Sequence, residues 1–377
     1  MSNKRKLLFV VAEFWQGGAQ RHAYEIYKAV NKETFDITIL SLRDLVSSTE
    51  WKDYYYKHYV HQGTPVYFYN QVNQRQRYSL LDRLKRKLFN FKLLPENWPF
   101  ISFLNQFEKL VFFGEYTYPF VEKLLDNELK SRCFICVVNS IFQVPENYYR
   151  YDKSRNYKFI SGFKSLNEEF RGFSNFKHYY FPLSISFKDE NRMWVQKTKK
   201  QKIVGVYTRL TKNKPLEVFL FALHLMRLEG LDIILNIYGN GNPAELGILN
   251  NIEALSLTDY VIFKGHQENL IDSALNEELD VIWAHSYYGF PGGFASMDLS
   301  SIGIPQVFWN FTPNCENQEC NEFKTFKDLN IFVEYNKQLF SDSSFAQTIG
   351  ENQYLSIKTN NNIDENIKIL EEIFRKS

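Results

Sequence analysis

Two basic residues, Arg209 and Lys214, stand five residues apart directly after the apolar run Ile203–Tyr207. The run predicts a strand that ends at Tyr207, and the apolar residues behind the loop recur at helical spacing. An arginine presents a planar fork of hydrogen-bond donors and a lysine a point charge, so this pair is suited to hold a diphosphate at the strand end. Taken alone, the pair is explained equally well as two solvated loop charges.

A second candidate element is the glycine pair Gly292 and Gly293, which follows the predicted strand Val281–Ala284. The pair opens a predicted helix that begins at about Phe294. Bare backbone N–H groups at a helix start and the helix dipole together favour an anion. Asp298 lies roughly one turn further along, where a carboxylate can accept hydrogen bonds from a ribose diol. On its own, this segment is more simply explained as an ordinary turn followed by an exposed helix residue.

Three further residues are candidates for contact with the same ligand. Gly239 belongs to a G-x-G after the predicted strand Ile233–Tyr238, but no third glycine completes a dinucleotide fingerprint, which argues against a Rossmann dehydrogenase. His266 and His285 each follow a predicted strand end. The sequence has no Walker loop, no HExxH, no GxSxG and no D-x-D that would carry a metal–diphosphate. We therefore expect a metal-independent site without a bound cofactor.

The cysteines and the N-terminus indicate the compartment. Cys133 and Cys136 lie inside an apolar run, which predicts a buried strand rather than a metal or redox pair, and four cysteines in 377 residues are too few for a disulfide-stapled secreted protein. The N-terminal apolar run Leu7–Ala12 is too short for a signal peptide, and no run of about 18 apolar residues is present to span a bilayer. These features predict a cytoplasmic protein.

The motifs lie on a repeated strand and helix pattern. With 44% hydrophobic and 23% charged residues and a net charge of +2, the composition excludes disorder and a whole surface built for nucleic acid. Short apolar runs alternate with helical segments on both sides of a basic linker at 197–202, which predicts an α/β fold of two doubly wound domains. The domains are predicted at 1–187 and 203–358, followed by an amphipathic helix within 359–377 that packs back on the first domain.

The remaining predicted strands are Leu7–Ala12, Ile37–Leu42, Leu110–Phe113, Phe134–Val138, Lys158–Ser161, Val261–Phe263 and Pro305–Trp309. Open α/β sheets bind ligands beyond the carboxyl ends of their strands. We therefore expect a ligand cleft between two facing domains.

A basic stretch between Arg75 and Lys92 carries seven basic residues and one acidic residue, with leucines and a phenylalanine at helical spacing. Aromatic residues follow at Trp98, Phe100 and Phe103. A basic amphipathic helix with aromatic neighbours can lie in an anionic headgroup layer. A solvated helix whose apolar face packs into the core explains the pattern slightly better, so contact with an anionic membrane through 75–103 stays an alternative.

Taken in order, these segments resemble GT-B glycosyltransferases, in particular glycosyltransferase family 4. VGVYTRLTKNK resembles the family's donor-diphosphate segment, SSIGIPQV the stretch after its Glu-seven-residues-Glu motif, and VVAEFWQGGAQRHAYEI its first strand, glycine loop and helix. The likeness covers most of the chain. It implies a GT-B fold, phosphate contacts for Arg209 and Lys214, and an approach of the acceptor or phosphate at Gly17 and Gly18.

Three positions depart from the family pattern. Phe290 stands where the first Glu of the motif is expected, and Asp298 replaces the second Glu as a shorter acceptor for the ribose hydroxyls. Asn139 occupies the strand end at which many members have a catalytic histidine.

The resemblance implies a nucleotide-sugar-dependent glycosyltransferase, with a UDP- or GDP-linked donor and a glycan or lipid-linked acceptor, acting in cell-surface polysaccharide or glycoconjugate synthesis. It also implies that transfer retains the anomeric configuration. The departures keep two other hypotheses open: a catalytically inactive GT-B scaffold that binds without turnover, and a nucleotide-sugar epimerase on a related two-domain fold.

Overall fold

The computed structural model describes residues 4–45, 51–73, 98–138, 145–149, 151–152, 155–162, 173, 175–187, 193–286, 293–311 and 322–376. The chain divides into two units: Met1–Leu183 with Ile363–Ser377 form the first, and Ser184–Asn362 the second. The predictions made for Asn139, Phe290, Gly292 and the basic segment 75–92 lie outside the described residues.

The first unit is built on a parallel sheet of seven strands in the order β3-β2-β1-β4-β5-β6-β7. Its central strands are buried along nearly their whole length because apolar side chains pack on both faces of the sheet. The strands are β1 (Arg5–Val11), β2 (Phe35–Ser41), β3 (Val66–Phe68), β4 (Lys109–Phe113), β5 (Cys133–Val137), β6 (Asn156–Ser161) and β7 (Asn175–Tyr180). The helices are α1 (Gly18–Ala29), α2 (Tyr54–His61), α3 (Tyr69–Val72), α4 (Trp98–Leu104), α5 (Tyr118–Val121) and α6 (Asn127–Ser131), with 3-10 turns at Glu122–Leu124 and Pro145–Tyr148.

The second unit repeats this design with six parallel strands in the order β10-β9-β8-β11-β12-β13. The strands are β8 (Lys202–Tyr207), β9 (Ile233–Tyr238), β10 (Val261–Gly265), β11 (Val281–Ser286), β12 (Gln306–Asn310) and β13 (Thr325–Phe326). The helices are α7 (Glu217–Leu228), α8 (Ile248–Ala254), α9 (Leu270–Asn276), α10 (Phe294–Ser300), α11 (Leu329–Ser341) and α12 (Ser343–Asn360), with a 3-10 turn at Pro243–Leu246.

Each sheet contains one place where the strand order reverses. In the first unit the chain winds from β1 outward to β3 and then returns to the other side of β1 with β4. In the second unit β8 and β11 are neighbours in the same way. Loops leaving the two strands at such a switch point run in opposite directions and open a crevice at the carboxyl ends, which is where open α/β sheets bind ligands.

The last helix, α13 (Ile363–Lys376), belongs to the first unit. It buries the stripe Ile363, Ile367, Leu370 and Phe374, whose spacing of four, three and four residues is that of one helix face. The ring of Phe374 lies 5.7 Å from that of Phe134 on β5. The helix therefore covers one face of the seven-stranded sheet.

All ten strands predicted from apolar runs are present, with ends that shift by one or two residues. The structure adds β3, β7 and β13, which are edge strands of the two sheets and are only partly buried. Cys133 and Cys136 are buried free thiols on β5, as the apolar run predicted. Among the described helices, none is both long enough and apolar enough to cross a membrane.

Candidate functional site

The loop that carries Arg209 is fixed to its neighbour by backbone hydrogen bonds. The Thr208 N–H donates to the Tyr238 carbonyl at 2.9 Å, and the Leu210 N–H donates to the Asn240 carbonyl at 2.9 Å. The pairing of β8 with β9 therefore continues beyond the ends of both strands. Arg209 lies between these two bonds with its side chain exposed.

Gly239 makes this close approach of two loops geometrically feasible. Its φ is +155°, and a Cβ atom added there would lie 1.6 Å from the Thr208 carbonyl oxygen, so only glycine fits. Its N–H donates to the Gly265 carbonyl at 2.9 Å. The packing of the two loops therefore explains why position 239 is a glycine. Its contact with a donor stays a prediction.

Lys214 ends the same loop in a tight turn, in which its N–H donates to the Thr211 carbonyl at 2.8 Å. The side chain is half-buried. Burial, and next the charge of Arg209, lower the pKa of Lys214 to about 8. The two predicted cations are therefore close enough for the charge of Arg209 to disfavour the Lys214 ammonium.

His285 stands behind this loop, near the end of β11. Its Nε2 atom lies 2.8 Å from the Pro215 carbonyl oxygen, which can only accept, so Nε2 carries the proton and the ring is the Nε2–H tautomer. Burial lowers the pKa of His285 to about 4, against the opposing effect of the bond to Pro215, and the charge of Lys214 lowers it further. The neutral ring holds the Lys214–Pro215 turn, and Phe219 packs against it at 5.2 Å.

The predicted anion site at the start of α10 follows β11, the strand that neighbours β8 at the switch point. Gly293 precedes this helix with φ +79° and ψ −157°, a conformation that L side chains rarely adopt. Phe294 is buried as the first helical residue, and Asp298 is half-buried further along. Because β8 and β11 are neighbours, their outgoing segments, with Arg209 and Lys214 on one and Gly293 on the other, belong to the same carboxyl edge.

A buried glutamine on β12, Gln306, joins the helix α10 to the sheet. The side-chain N–H groups of Gln306 donate to the Ser296 carbonyl at 2.7 Å and to the Ser300 hydroxyl at 2.6 Å. The amide of Gln353 in turn satisfies both backbone groups of Gln306, at 2.9 Å each. Sequence analysis did not find this network, since its partners are up to 47 residues apart.

His266 follows β10, two strands away from β8 in the sheet order. His266 is largely exposed. The remaining burial of its ring lowers its pKa, and the charge of Glu268 raises it. The structure therefore brings Arg209, Lys214 and His285 together, and places His266 further along the same edge.

The equivalent edge of the first unit carries the predicted acceptor-side glycines. Gly17 is the residue before α1 and Gly18 its first residue. Glu13, which sequence analysis did not single out, lies between β1 and these glycines along the chain. Its carboxylate accepts from the Gln20 amide at 3.0 Å and from the Arg43 guanidinium at 2.8 Å.

Glu115 is a second carboxylate at this edge that the sequence analysis missed. It follows β4 and is completely buried. Its carboxylate accepts from the Val138 N–H at 3.1 Å and from the Asn147 side-chain amide at 2.6 Å. Glu115 thus ties the outgoing ends of β4 and β5 to the turn Pro145–Tyr148. The described residues contain no group of three or more His, Cys, Asp or Glu side chains placed to hold a metal ion.

Solved structures of similar fold give this arrangement a context. HepE from Anabaena, solved with UDP and glucose, is 12% identical and superposes with a TM-score of 0.69 over 99% of this chain and 100% of its own. TarM, a protein of S. aureus, is 11% identical with a TM-score of 0.69 over 100% and 99%. The pneumococcal O-GlcNAc transferase GtfA, solved with UDP and GlcNAc, is 12% identical with a TM-score of 0.66 over 99% of both chains.

The sequence matches no protein-family model, and no curated protein sequence matches it either. The structural likeness extends over nearly the whole chain and shows that the two Rossmann-like units together have the GT-B fold. The predicted fold class is confirmed.

Proposed function

We propose that this protein is a nucleotide-sugar-dependent glycosyltransferase whose donor diphosphate binds at the carboxyl edge of the six-stranded sheet. The observation that carries the proposal is the convergence of Arg209 and Lys214 at the β8–β11 switch point of a GT-B fold. Two cations that repel each other in the absence of a ligand gain most from a ligand with two adjacent negative charges.

The leaving nucleoside diphosphate gains negative charge as the bond to the sugar breaks. Arg209 would hold two phosphate oxygens with its planar fork, and Lys214 would place a partly desolvated ammonium against the developing charge. Such fixed donors are commonly the largest contribution to catalysis, each about 3–4 kcal/mol when deleted. The backbone N–H groups at Gly292–Phe294 would add to the same field, and Asp298 would accept from the ribose hydroxyls.

His285 and Gly239 support this site from behind. The Nε2–H of His285 fixes the Pro215 carbonyl, which holds the backbone of the turn from which the Lys214 side chain extends. Gly239 fixes the loop of Arg209. His266 would contact the donor further along the edge. Positions held within a fraction of an ångström are what such an electrostatic mechanism requires.

For the substrates we propose chemical classes of donor and acceptor. HepE and GtfA were solved with UDP, which favours a UDP-linked donor here, with GDP as the alternative. We place the acceptor, a glycan or lipid-linked glycan, near Gly17, Gly18 and Asn139. The diphosphate charge is met by the two side-chain cations, so we propose transfer without a metal ion. Retention of the anomeric configuration is proposed on the family resemblance alone. A cytoplasmic location completes the proposal, and contact with an anionic membrane through 75–103 is kept as an alternative.

The test is a thermal-shift screen against UDP-, GDP-, ADP- and CMP-sugars, followed by incubation with the stabilising donor in radiolabelled form. A ligand at a hundred times its Kd stabilises the fold by about 2.7 kcal/mol, which such a screen detects readily. Transfer of label to a glycan, or slow release of free sugar, supports the glycosyltransferase. Binding without turnover shows an inactive scaffold, and an isomerised donor shows an epimerase. No shift with any donor contradicts the proposal.

A further inference from the structure

Three lysines lie on one face of the seven-stranded sheet, towards the amino ends of its strands. Lys109 begins β4, Lys158 lies on β6, and Lys177 is the direct neighbour of Lys158 on β7. Between them stands the ring of Phe134, 6.0 Å from the Lys109 ammonium and 5.0 Å from that of Lys158. The three side chains therefore share the face that α13 covers, next to the end of that helix.

None of these lysines has a carboxylate partner among the described residues. Lys158 donates to the neutral Ser131 carbonyl at 2.7 Å. Lys109 is only 9% exposed. Burial first, and then the charges of Lys158 and Arg5, lower the pKa of Lys109, while the charge of Glu108 raises it in part; burial and Lys177 lower the pKa of Lys158. The cluster thus holds like charges together, and the net effect of its surroundings disfavours the charged lysines.

Neighbouring arginines strengthen the positive field. Arg5 pairs with Glu108 at 2.8 Å, and Arg132 pairs with Glu128 at 2.6 Å. Each of these carboxylates is therefore already engaged by an arginine. Glu108 offsets part of the charge on Lys109, but no described carboxylate forms an ion pair with any of the three lysines.

The carboxyl end of α13 explains only part of this charge. A helix end with unpaired carbonyls attracts cations, and the Arg5 guanidinium donates to the Phe374 carbonyl at 3.1 Å. The helix also carries Arg375 and Lys376 in its own last turn. The three lysines make no hydrogen bond to a described carbonyl of this helix, so its dipole does not account for them.

The spacing of the strands indicates the size of an anion that all three lysines could reach. Neighbouring strands lie about 4.8 Å apart, so the backbones of β4 and β7 are roughly 14 Å apart, across three such spacings. A single phosphate can bridge two flexible lysines, whereas an anion with several phosphates can engage all three. We infer that Lys109, Lys158 and Lys177 form a second anion site, for a ligand that presents two or more phosphate groups, either in one soluble molecule or as an array of lipid headgroups.

This site is separate from the proposed donor site, which belongs to the second unit, and from Gly17 and Gly18, which lie at the opposite, carboxyl edge of the same sheet. The test uses the full chain with Arg209→Ala and Lys214→Met, so that the two cations of the donor edge contribute no phosphate binding. Titration calorimetry with tripolyphosphate, and with orthophosphate, is compared before and after Lys109→Gln, Lys158→Gln and Lys177→Gln are added. The control adds Lys52→Gln, Lys57→Gln and Lys123→Gln, which removes the same charge elsewhere in the first unit.

We expect tripolyphosphate to bind at least about tenfold more tightly than orthophosphate, and the cluster variant, but not the control, to lose that affinity by about tenfold or more. Sedimentation with phosphatidylcholine vesicles, with and without phosphatidylglycerol, separates the sources. Vesicle binding that depends on phosphatidylglycerol and on the cluster, without tripolyphosphate binding, assigns the phosphates to headgroups and supports the site. Equal affinities in cluster and control variants, for both ligands, would overturn it.

A melting curve of the cluster variant separates ligand binding from helix support. If the lysines served only the end of α13, their removal would lower the Tm without any added anion, and the anion site would be wrong. Relief of like-charge repulsion predicts an unchanged or higher Tm, and a stabilisation by tripolyphosphate that only chains with the intact cluster show.

Discussion

The first unit reverses its strand order between β1 and β4, and the second between β8 and β11, so their switch points are topologically equivalent. Their side chains differ in sign. The first edge carries the carboxylates Glu13 and Glu115, both hydrogen-bonded within the protein. The second carries the cations Arg209 and Lys214, and the charge of Arg209 lowers the pKa of Lys214. Topology selects where a ligand can bind, and the residues at the strand ends select its charge.

The two edges also treat buried charge differently. Glu115 is completely buried and its oxygens accept hydrogen bonds from Val138 and Asn147. Lys214 is half-buried beside another cation, and its pKa falls to about 8. A carboxylate that joins neighbouring segments by hydrogen bonds serves the fold, whereas a strongly shifted pKa is typical of a functional site.

The largest expected effect is on turnover. Arg209→Ala and Lys214→Ala should each lower kcat by about 100- to 1,000-fold, because each removes a fixed donor to the leaving diphosphate. Initial rates with the donor found in the thermal-shift screen measure this. Lys212→Ala, an exposed lysine of the same loop, is the control and should leave kcat nearly unchanged. A similar loss with the control would attribute the effect to net charge and remove the difference between the two edges.

A pH profile is the next largest effect. Lys214 has to be protonated to stabilise the diphosphate, so kcat/KM should fall roughly tenfold per pH unit above about 8. Bound donor favours the ammonium, so the fall in kcat should begin at higher pH than the fall in kcat/KM. Lys214→Arg should abolish the alkaline fall in this range because arginine stays protonated. A profile that is flat to pH 10 in the unmodified protein would contradict the role of Lys214.

The free energy of unfolding should rise with pH in the range in which activity falls, because the same lysine, Lys214, controls both. The pKa of Lys214 is about 8 in the folded state and 10.5 as the ordinary value, so below pH 8 the folded state holds a charged lysine at a cost. That cost disappears as the pH rises from about 8 to 10.5. Lys214→Met should therefore raise the free energy of unfolding by roughly 1–3 kcal/mol at pH 7, and by less at pH 10. Urea denaturation at the two pH values measures it, and a destabilised variant would refute the argument.

In the first unit we expect Glu115 to contribute to stability and not to donor binding. Glu115→Gln replaces one accepting oxygen by an N–H group, which then opposes either the Val138 N–H or the Asn147 amide. The free energy of unfolding should fall by about 1–3 kcal/mol, while the Kd for the donor stays the same. Glu33→Gln, at an exposed position, should change neither. A weaker donor affinity in Glu115→Gln would show that the two edges are not independent.

The smallest expected effect concerns Asp298. Asp298→Ala should weaken donor binding by about tenfold, the value of roughly one charge-assisted hydrogen bond, and Asp298→Asn by less. Calorimetric titration with the nucleoside diphosphate and with the free phosphate portion distinguishes a ribose contact from a phosphate contact. Equal losses for both ligands would place Asp298 on the phosphate side.

Much of this fold can be predicted from the sequence because buried parallel strands are continuous apolar runs, as in β4 and β5. Strand β7 was missed because it is half-exposed, and the spacing of Arg209 and Lys214 was visible because both lie on one short loop. The partners of Glu115 are 23 and 32 residues away, so no local pattern reveals them. The neutral tautomer of His285 likewise depends on a carbonyl 70 residues distant.

Nothing larger than a hydrogen atom fits between Gly239 and the Thr208 carbonyl. Engineering of donor preference at this edge therefore has to treat the loops after β8 and β9 as a single part. A library that randomises one loop and keeps the other will mostly contain chains in which the two loop backbones no longer pack against each other. New specificities should be sought among paired exchanges of both loops, with the glycine left in place.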